Sequence, residues 1–451
     1  MDATMARGRR QVEFSGFRLD MASRQLFGPD GGELPVTARA LDVLAYLIEH
    51  RGRMVGKDEL LDAVWPHRVV EENNLPQAIS ALRRTFGVGA GERRFIVTIP
   101  GRGYRFVAPT STQPFVERRH RGGADRGDDA YRLCIAGRDL IDAPSQARCK
   151  RAIGLFRQAL DRDPRCARAW CGLATAWRAL TITGDMDPAD AFPLARTAVQ
   201  RALALAPQLA EAHAVRGYIL FWNDWDWAGA ERVLRHAIEL DAGSPDGHFA
   251  YANLLNNLGR FEQALEHARK ARELDPVSPL FNTIEGACLA AAGRIADAQT
   301  RITCALDIAP AFWIALLARA SMTLACGEPE AAIDTLELAA RLSSRNSRVL
   351  AILAAARVAC GDHAGARQLR DELAALSESS YVPATSRAAI SNALGDHGEA
   401  LDLLELAFAQ RDVRMTFLKT DARWNNLRGT PRFDALMHRL GFAGGEALGI
   451  L

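Results

Sequence analysis

The sequence lacks the patterns on which most enzyme chemistry depends. It contains no GxxxxGK[ST] loop, no HExxH or GxSxG motif and no paired metal-ligand spacing. Its eight cysteines include no CxxC pair, so we expect reduced thiols. The net charge is only +2, and the best candidate for a membrane span, residues 310–327, is short and holds Arg319. We therefore expect a cytoplasmic protein with no enzymatic activity, cofactor, metal site or membrane contact.

Glycine recurs at one fixed interval in the second half of the chain. Gly259, Gly293, Gly327, Gly361 and Gly395 are each 34 residues apart, and an alanine follows each glycine after five residues. Glycine lets the backbone reverse between two helices, and alanine lets neighbouring helices approach closely. The period predicts helical hairpins stacked on one another, with three looser units preceding five that are in phase.

This period and pattern resemble the tetratricopeptide repeat. The resemblance implies an all-α, right-handed solenoid of about eight repeats over residues 130–414, followed by capping helices over 415–451. In that family the first helix of each repeat lines a concave groove that binds other molecules.

Carrying over the groove-facing positions yields a candidate site for an effector or partner. Arginine, asparagine and aromatic side chains suit a peptide backbone or a carboxylate. A solvated helix face has similar residues, and tryptophans at such positions often pack between repeats. The groove residues are Arg168, Thr175, Arg178, Tyr218, Trp222, Asn253, Asn256 and Asn257.

The first part of the chain has a different pattern. Short alternating segments predict a small sheet, three amphipathic segments predict helices, and two final strands flank Pro-Gly-Arg-Gly. Together they predict an α+β winged helix-turn-helix domain over residues 14–108, which a connector over 109–129 joins to the repeats. The predicted strands are 14–19, 25–27, 95–99 and 104–108, and the predicted helices are 37–51, 57–65 and 75–86.

Three segments of this domain, ELLDAVW, NNLPQAISALRRTFG and IVTIPGRGYRFVA, are similar to the effector domain of OmpR/PhoB-type response regulators. The resemblance implies that the third helix enters the major groove of double-stranded DNA and that the hairpin, or wing, touches the minor groove or its phosphates. It also implies that the loop before the third helix can contact RNA polymerase. Since only 13 residues precede Phe14, we expect no receiver domain.

Spacing divides the third helix into two faces. Apolar residues recur at i, i+4, i+7 and i+11 from Leu75 to Phe86, as in a buried stripe. On the other face, asparagine or glutamine suits an adenine edge, alanine suits a thymine methyl group, and arginine suits phosphates. Any exposed face carries polar residues, but an arginine at a glycine hairpin has no evident structural need. With the wing residues that the resemblance adds, the candidate DNA contacts are Asn73, Asn74, Gln77, Ala78, Ser80, Ala81, Arg83, Arg84, Thr98, Arg102 and Tyr104.

The combined pattern resembles one-component transcriptional regulators that join such a winged helix to tetratricopeptide repeats. We expect specific DNA binding, with activation favoured over repression, and repeats that bind an effector, a partner protein or a second protomer. The alternative is an interaction scaffold whose winged helix does not bind DNA. Salt dependence separates the two, because binding to phosphates weakens steeply as salt rises.

Overall fold

The computed structural model forms two compact units, residues 1–131 and 132–451, which we call the head and the array. None of the helices in the ranges described below is long and apolar enough to cross a membrane. The structure describes residues 10–14, 17–21, 25–28, 32–34, 36–51, 53–65, 74–86, 95–99, 103–106, 111–114, 124–276 and 278–442.

Two small antiparallel sheets belong to the head. The first has the strand order β3-β2-β1-β7 and the second has the order β4-β6-β5. In the second sheet Thr98 lies opposite Tyr104, and Val97 lies opposite Arg105. The strands are β1 (Arg10–Phe14), β2 (Phe17–Asp20), β3 (Gln25–Phe27), β4 (Val55–Gly56), β5 (Ile96–Ile99), β6 (Gly103–Phe106) and β7 (Ser111–Pro114).

Three helices pack with these sheets: α1 (Ala38–Glu49), α2 (Lys57–Val64) and α3 (Asn74–Thr85). The Thr37 hydroxyl accepts a hydrogen bond from the Ala40 amide at 3.3 Å and so caps the N-terminus of α1. Four phenylalanines form an aromatic core, in which every pair of ring centroids lies between 4.9 and 6.1 Å apart. These rings join the first sheet to the end of α3 and the start of β5, and they are Phe14, Phe17, Phe86 and Phe95.

The predicted connector over residues 109–129 contains regular structure at two places. Strand β7 pairs with β1, with Gln113 opposite Gln11. A helix begins at Ala124, inside the predicted connector. Part of the predicted connector is therefore regular, because the Ser-Thr-Gln-Pro stretch pairs with a strand edge that local composition does not reveal.

Sixteen helices of the array within the described ranges follow one another as eight pairs. From the third of these sixteen helices onward, the two helices of each pair pack together. The first helices of successive pairs also contact one another, so they form a continuous row. The helices are α4 (Ala124–Ile141), α5 (Gln146–Arg162), α6 (Ala167–Thr183), α7 (Pro188–Leu205), α8 (Ala210–Ile219), α9 (Trp227–Leu240), α10 (Pro245–Asn257), α11 (Phe261–Leu274), α12 (Pro279–Ala291), α13 (Ile295–Ile308), α14 (Trp313–Ala325), α15 (Pro329–Leu342), α16 (Ser347–Ala359), α17 (His363–Leu376), α18 (Ala384–Ala393) and α19 (His397–Ala409).

The periodic glycines occupy the turn between the two helices of a pair. All five have φ between +75° and +89°, a conformation that residues with a Cβ rarely adopt. The alanines that follow them after five residues are fully buried. The series also continues one step further than the five glycines on which the prediction rests, because Gly429 lies 34 residues after Gly395 and has φ of +78°. The repeat pattern therefore extends into the C-terminal segment.

That C-terminal segment contains two 3₁₀ turns, Val413–Phe417 and Ala422–Trp424, and a helix, α20 (Pro431–Arg439). We predicted that it caps the last repeat, and α20 does contact α19. The segment also contacts early pairs: the Lys419 ammonium donates to the Leu258 carbonyl at 2.9 Å, and the Trp227 indole donates to the Leu440 carbonyl at 2.7 Å. These contacts close the C-terminal segment onto the third and fourth helix pairs.

A buried ion pair lies at the centre of this closure. Asp185, in the turn between α6 and α7, accepts a hydrogen bond from Arg414 Nη2 at 2.6 Å and from the Ser347 amide at 2.8 Å. The Arg414 side chain is only 5% exposed. Asp185 belongs to the TGDMDPAD stretch that lengthens this pair beyond the ordinary period. The irregularity in the repeat therefore supplies the residue that joins early and late pairs.

Candidate nucleic-acid interface and effector site

Helix α3 presents one polar stripe to solvent. Gln77, Ser80 and Arg84 are exposed, and Ala78 and Ala81 beside them are half-buried. The opposite stripe, from Leu75 to Phe86, is buried as predicted. A helix with small residues along an exposed polar stripe can approach base edges closely.

Asn74 does not share that exposed stripe, in contrast to our prediction. Its side chain is only 9% exposed. Helical side chains lean toward the helix N-terminus, so the side chain of this first residue of α3 is directed away from the exposed stripe. Asn73 and the loop over residues 66–73 lie outside the described residues.

Arg83 is engaged within the head. Its Nη2 donates to the Ile96 carbonyl and to Thr98 Oγ1, both at 2.8 Å, and its Nε is buried. Thr98 remains exposed while it accepts this bond. The structure therefore gives both residues a role in fixing the wing to α3, which spacing within one helix does not reveal.

The wing is defined here as the hairpin of β5 and β6. Its described residues include an exposed cation that we did not predict. Tyr104 is only 4% exposed, and burial raises its pKa, so the expected phosphate contact was wrong for this side chain. Arg105, the next residue, is exposed. The alternation of strand side chains, with Tyr104 and Phe106 inward, is the signal that identifies it. Arg102 lies outside the described residues.

Three of the predicted groove residues form one buried cluster in the array. The Arg178 guanidinium lies 3.9 Å from the ring centroid of Tyr218 and 5.0 Å from that of Trp222. Their exposed fractions are 8%, 3% and 6%. Arg178 comes from α6, whereas Tyr218 lies in the last turn of α8 and Trp222 lies in the π-helical turn Leu220–Asp224. Cation–π contacts of this kind are strongest where water is excluded.

Three polar atoms of this cluster can donate a hydrogen bond but are buried without a partner among the described residues. They are Arg178 Nε, Tyr218 Oη and Trp222 Nε1. Burial lowers the pKa of Arg178 and raises that of Tyr218. We call these three residues the donor cluster. Unpaired buried donors are costly, so the cluster is suited to a bound group that supplies acceptors.

The remaining predicted groove residues do not join the donor cluster in hydrogen bonds. Thr175 donates to the Cys171 carbonyl at 3.0 Å, and Arg168 is exposed. The side-chain amides of Asn253 and Asn257 donate to carbonyls one turn earlier in α10, and Asn257 is fully buried. Asn256 is half-buried. Asn257 is therefore not part of an open polar surface.

One charged residue that sequence analysis missed, Asp246, influences the donor cluster. Asp246 forms an ion pair with Arg138 and also acts electrostatically on Arg178. Nearby, burial and the neighbouring Asp275 raise the pKa of Asp142. Arg138 and Asp246 are 108 residues apart, so no short motif contains them both. Among the described residues, no cluster of side chains suited to a metal ion occurs.

Comparison with known families agrees with both resemblances. Residues 31–106 match the family described as transcriptional regulatory protein, C terminal. Residues 143–187 and 221–279 match the tetratricopeptide repeat. The predicted fold class is confirmed: an N-terminal winged helix of the OmpR/PhoB type is followed by a tetratricopeptide-repeat solenoid.

Individual proteins are similar to part of this chain. The chain is 32% identical over 81 residues to the transcriptional activator CadC of Escherichia coli K12, covering 18% of this chain and 16% of CadC. It is 37% identical over 111 residues to the transcriptional regulator HilA of Salmonella typhi, covering 23% and 20%. The solved DNA-binding domain of E. coli CadC is 26% identical, with a TM-score of 0.21, and the match covers 24% of this chain and 100% of that domain. The chain thus spans about a fifth or less of these two relatives' full length.

Proposed function

We propose that this chain is a non-enzymatic, cytoplasmic transcriptional regulator that binds specific double-stranded DNA through its head. The observation that carries the proposal is the exposed stripe of Gln77, Ser80 and Arg84 on α3, in a domain of the transcriptional-regulator family. Activation is the favoured direction, because one of the relatives named above is described as an activator.

In the proposed complex, α3 lies in the major groove. Gln77 pairs with an adenine edge, and the half-buried Ala78 and Ala81 allow close approach. Arg84 and Arg105 contact phosphates, which position the protein without specifying sequence. Arg102 at the wing tip is a third phosphate contact on the basis of sequence alone. Residues 66–73, before α3, are the proposed contact for RNA polymerase.

We further propose that the array binds an effector or partner at the donor cluster. All three unpaired polar atoms are donors, so a carboxylate or a peptide carbonyl would satisfy them. Arg178 supplies the positive charge that a carboxylate requires. Because the cluster is largely buried, we expect binding to involve a local opening of α6 against α8.

Salt dependence tests the DNA-binding proposal. The affinity of the full chain for duplex DNA should fall linearly on a double-logarithmic plot against salt, as counterions are released from phosphates. Arg84→Ala should reduce the slope by about one, whereas Ser80→Ala, on the same stripe, should leave it unchanged. A slope near zero for the wild-type chain would favour the scaffold alternative.

Thermal unfolding with a panel of small carboxylates and of peptides with free C-termini tests the array. A ligand that binds the folded array raises its melting temperature. Arg178→Lys retains charge but loses the planar donor, and should abolish the shift, while Arg157→Lys, at an exposed site on α5, should retain it. If no ligand shifts the wild-type chain, or if Arg178→Lys responds as the wild type does, the effector site is not at this cluster.

A further inference from the structure

Two cysteine sulfurs lie in contact at the start of the array. Cys134 Sγ and Cys166 Sγ are 3.6 Å apart, and both residues are free thiols. Cys134 lies on α4 and is buried, whereas Cys166 precedes α6 and is partly exposed. A disulfide sulfur separation is about 2.05 Å, so a displacement of the two side chains by about 1.6 Å would be enough to join them.

The two thiols occupy different electrostatic environments. Cys166 is the N-cap residue of α6, where the helix dipole favours negative charge. A hydrogen bond from Cys134 and the backbone N–H groups of Ala169 and Arg168 lower the pKa of Cys166. The same hydrogen bond, together with burial, raises the pKa of Cys134. The Cys166 sulfur is therefore suited to attack an oxidant, and the Cys134 sulfur is suited to react second.

We propose that Cys134 and Cys166 form a reversible disulfide when the cell contains hydrogen peroxide. The Cys166 thiolate attacks a peroxide oxygen, the O–O bond breaks, and a sulfenic acid and one water form after protonation. The Cys134 sulfur then attacks the Cys166 sulfur. The S–O bond breaks, the S–S bond forms, and a second water leaves with the Cys134 proton. Two thiols are oxidised to one disulfide while hydrogen peroxide is reduced to two waters.

Oxidation would fasten the first helix of the array to the turn between its second and third helices. The covalent loop runs from 134 to 166 and encloses the whole of α5. In the reduced protein α4 can separate from this turn, whereas in the oxidised protein it cannot. Disulfides in the cytoplasm are typically transient and redox-sensing, which agrees with a pair held in contact but unbonded.

Peptide mapping of the full-length chain tests the proposal. The reduced protein is treated with hydrogen peroxide, the remaining thiols are alkylated, and the peptides are identified by mass spectrometry. We expect a linked peptide containing Cys134 and Cys166, loss of alkylation at both, and recovery of both by dithiothreitol. Amide exchange in α4 should slow in the oxidised protein.

Single variants assign the two roles. Cys134→Ser should leave Cys166 as a sulfenic acid that dimedone captures, and Cys166→Ser should leave Cys134 fully alkylated after peroxide. Cys326→Ser, at an exposed cysteine, should retain the linked peptide and serves as the matched control. Full alkylation of both cysteines in the peroxide-treated wild type, or oxidation of Cys166 to sulfinic acid without linkage, would overturn the proposal.

Discussion

Arg83 on α3 donates a hydrogen bond to Thr98 on the wing at 2.8 Å, and the same nitrogen reaches the Ile96 carbonyl. The two contacts set the wing against the helix that we place in the DNA major groove. An arginine at the end of a basic helix therefore has a structural role here, and its neighbour Arg84 is the residue left exposed.

Replacing Arg83 should loosen the wing. Arg83→Met should lower the free energy of unfolding of the head by about 1.5–3 kcal/mol, since it removes charged hydrogen bonds from partly buried acceptors. Thr98→Val should cost about 1 kcal/mol, because the Ile96 contact remains. Hydrogen exchange of β5 and β6 measures the loss. Arg84→Met is the control, and an equal loss of protection there would contradict the role given to Arg83.

Replacing Gln77 should reduce sequence specificity, whereas replacing Arg84 should reduce the affinity for all sequences. Gln77→Ala should reduce discrimination at one base pair by about 1–3 kcal/mol and leave nonspecific binding almost unchanged. Arg84→Ala and Arg102→Ala should weaken binding to all sequences. Competition assays with specific and random duplexes measure both effects. Equal losses on both duplexes for Gln77→Ala would show that it does not read a base.

The ion pair between Asp185 and Arg414 should stabilise the closed array. Asp185→Ala leaves the guanidinium of Arg414 buried without its strongest partner, so we expect a loss of about 3–5 kcal/mol in unfolding free energy. Chemical denaturation measures it. Asp161→Ala, an exposed aspartate at the end of α5, should change stability by less than about 0.5 kcal/mol. A loss of the same small size for Asp185→Ala would mean that the array does not depend on closure.

Acid should weaken the contact between α10 and α11. His248 Nδ1 and His267 Nδ1 are 2.9 Å apart, so one nitrogen must donate and the other must accept. Burial lowers the pKa of both residues below the ordinary value of 6.5. The folded state thus binds protons less readily than the unfolded state, and this contribution to stability is present above pH 6.5 and is lost as pH falls through the lowered pKa values.

Melting temperatures at pH 7.5 and pH 5.5 test this sign. His267→Gln should lose less stability on acidification than the wild type, because one titrating group is gone. His236→Gln, at an exposed histidine on α9, should follow the wild type. An unchanged acid response in His267→Gln would exclude the pair as the cause.

The regular parts of the fold were predictable because they depend on local constraints. The positive φ of Gly259 and the buried methyl group of Ala264 recur at equivalent positions in five successive pairs, so the period is visible in the sequence. The buried stripe of α3 was equally visible. Asp185 and Arg414 were not linked in advance, because 229 residues separate them and nothing in either neighbourhood specifies the other.

Several of the predicted site residues are buried for a related reason. Spacing identifies which face of a helix is buried, but it does not show what packs there or what the polar atoms contact. Tyr218 and Trp222 occupy groove-facing offsets, yet they are covered by Arg178 and their own helices. The alternation of side chains along β6 predicts that Arg105 is exposed. The wing residues that the resemblance implies do not include it.

Selection from a random library of DNA duplexes by the full-length chain, at two salt concentrations, is the most direct test of the account. We predict enrichment of a shared motif at both concentrations, with weaker recovery at high salt, and loss of one position of that motif in Gln77→Ala. No enriched motif with the folded wild-type chain would contradict DNA recognition by the head and leave the repeat scaffold as the better description.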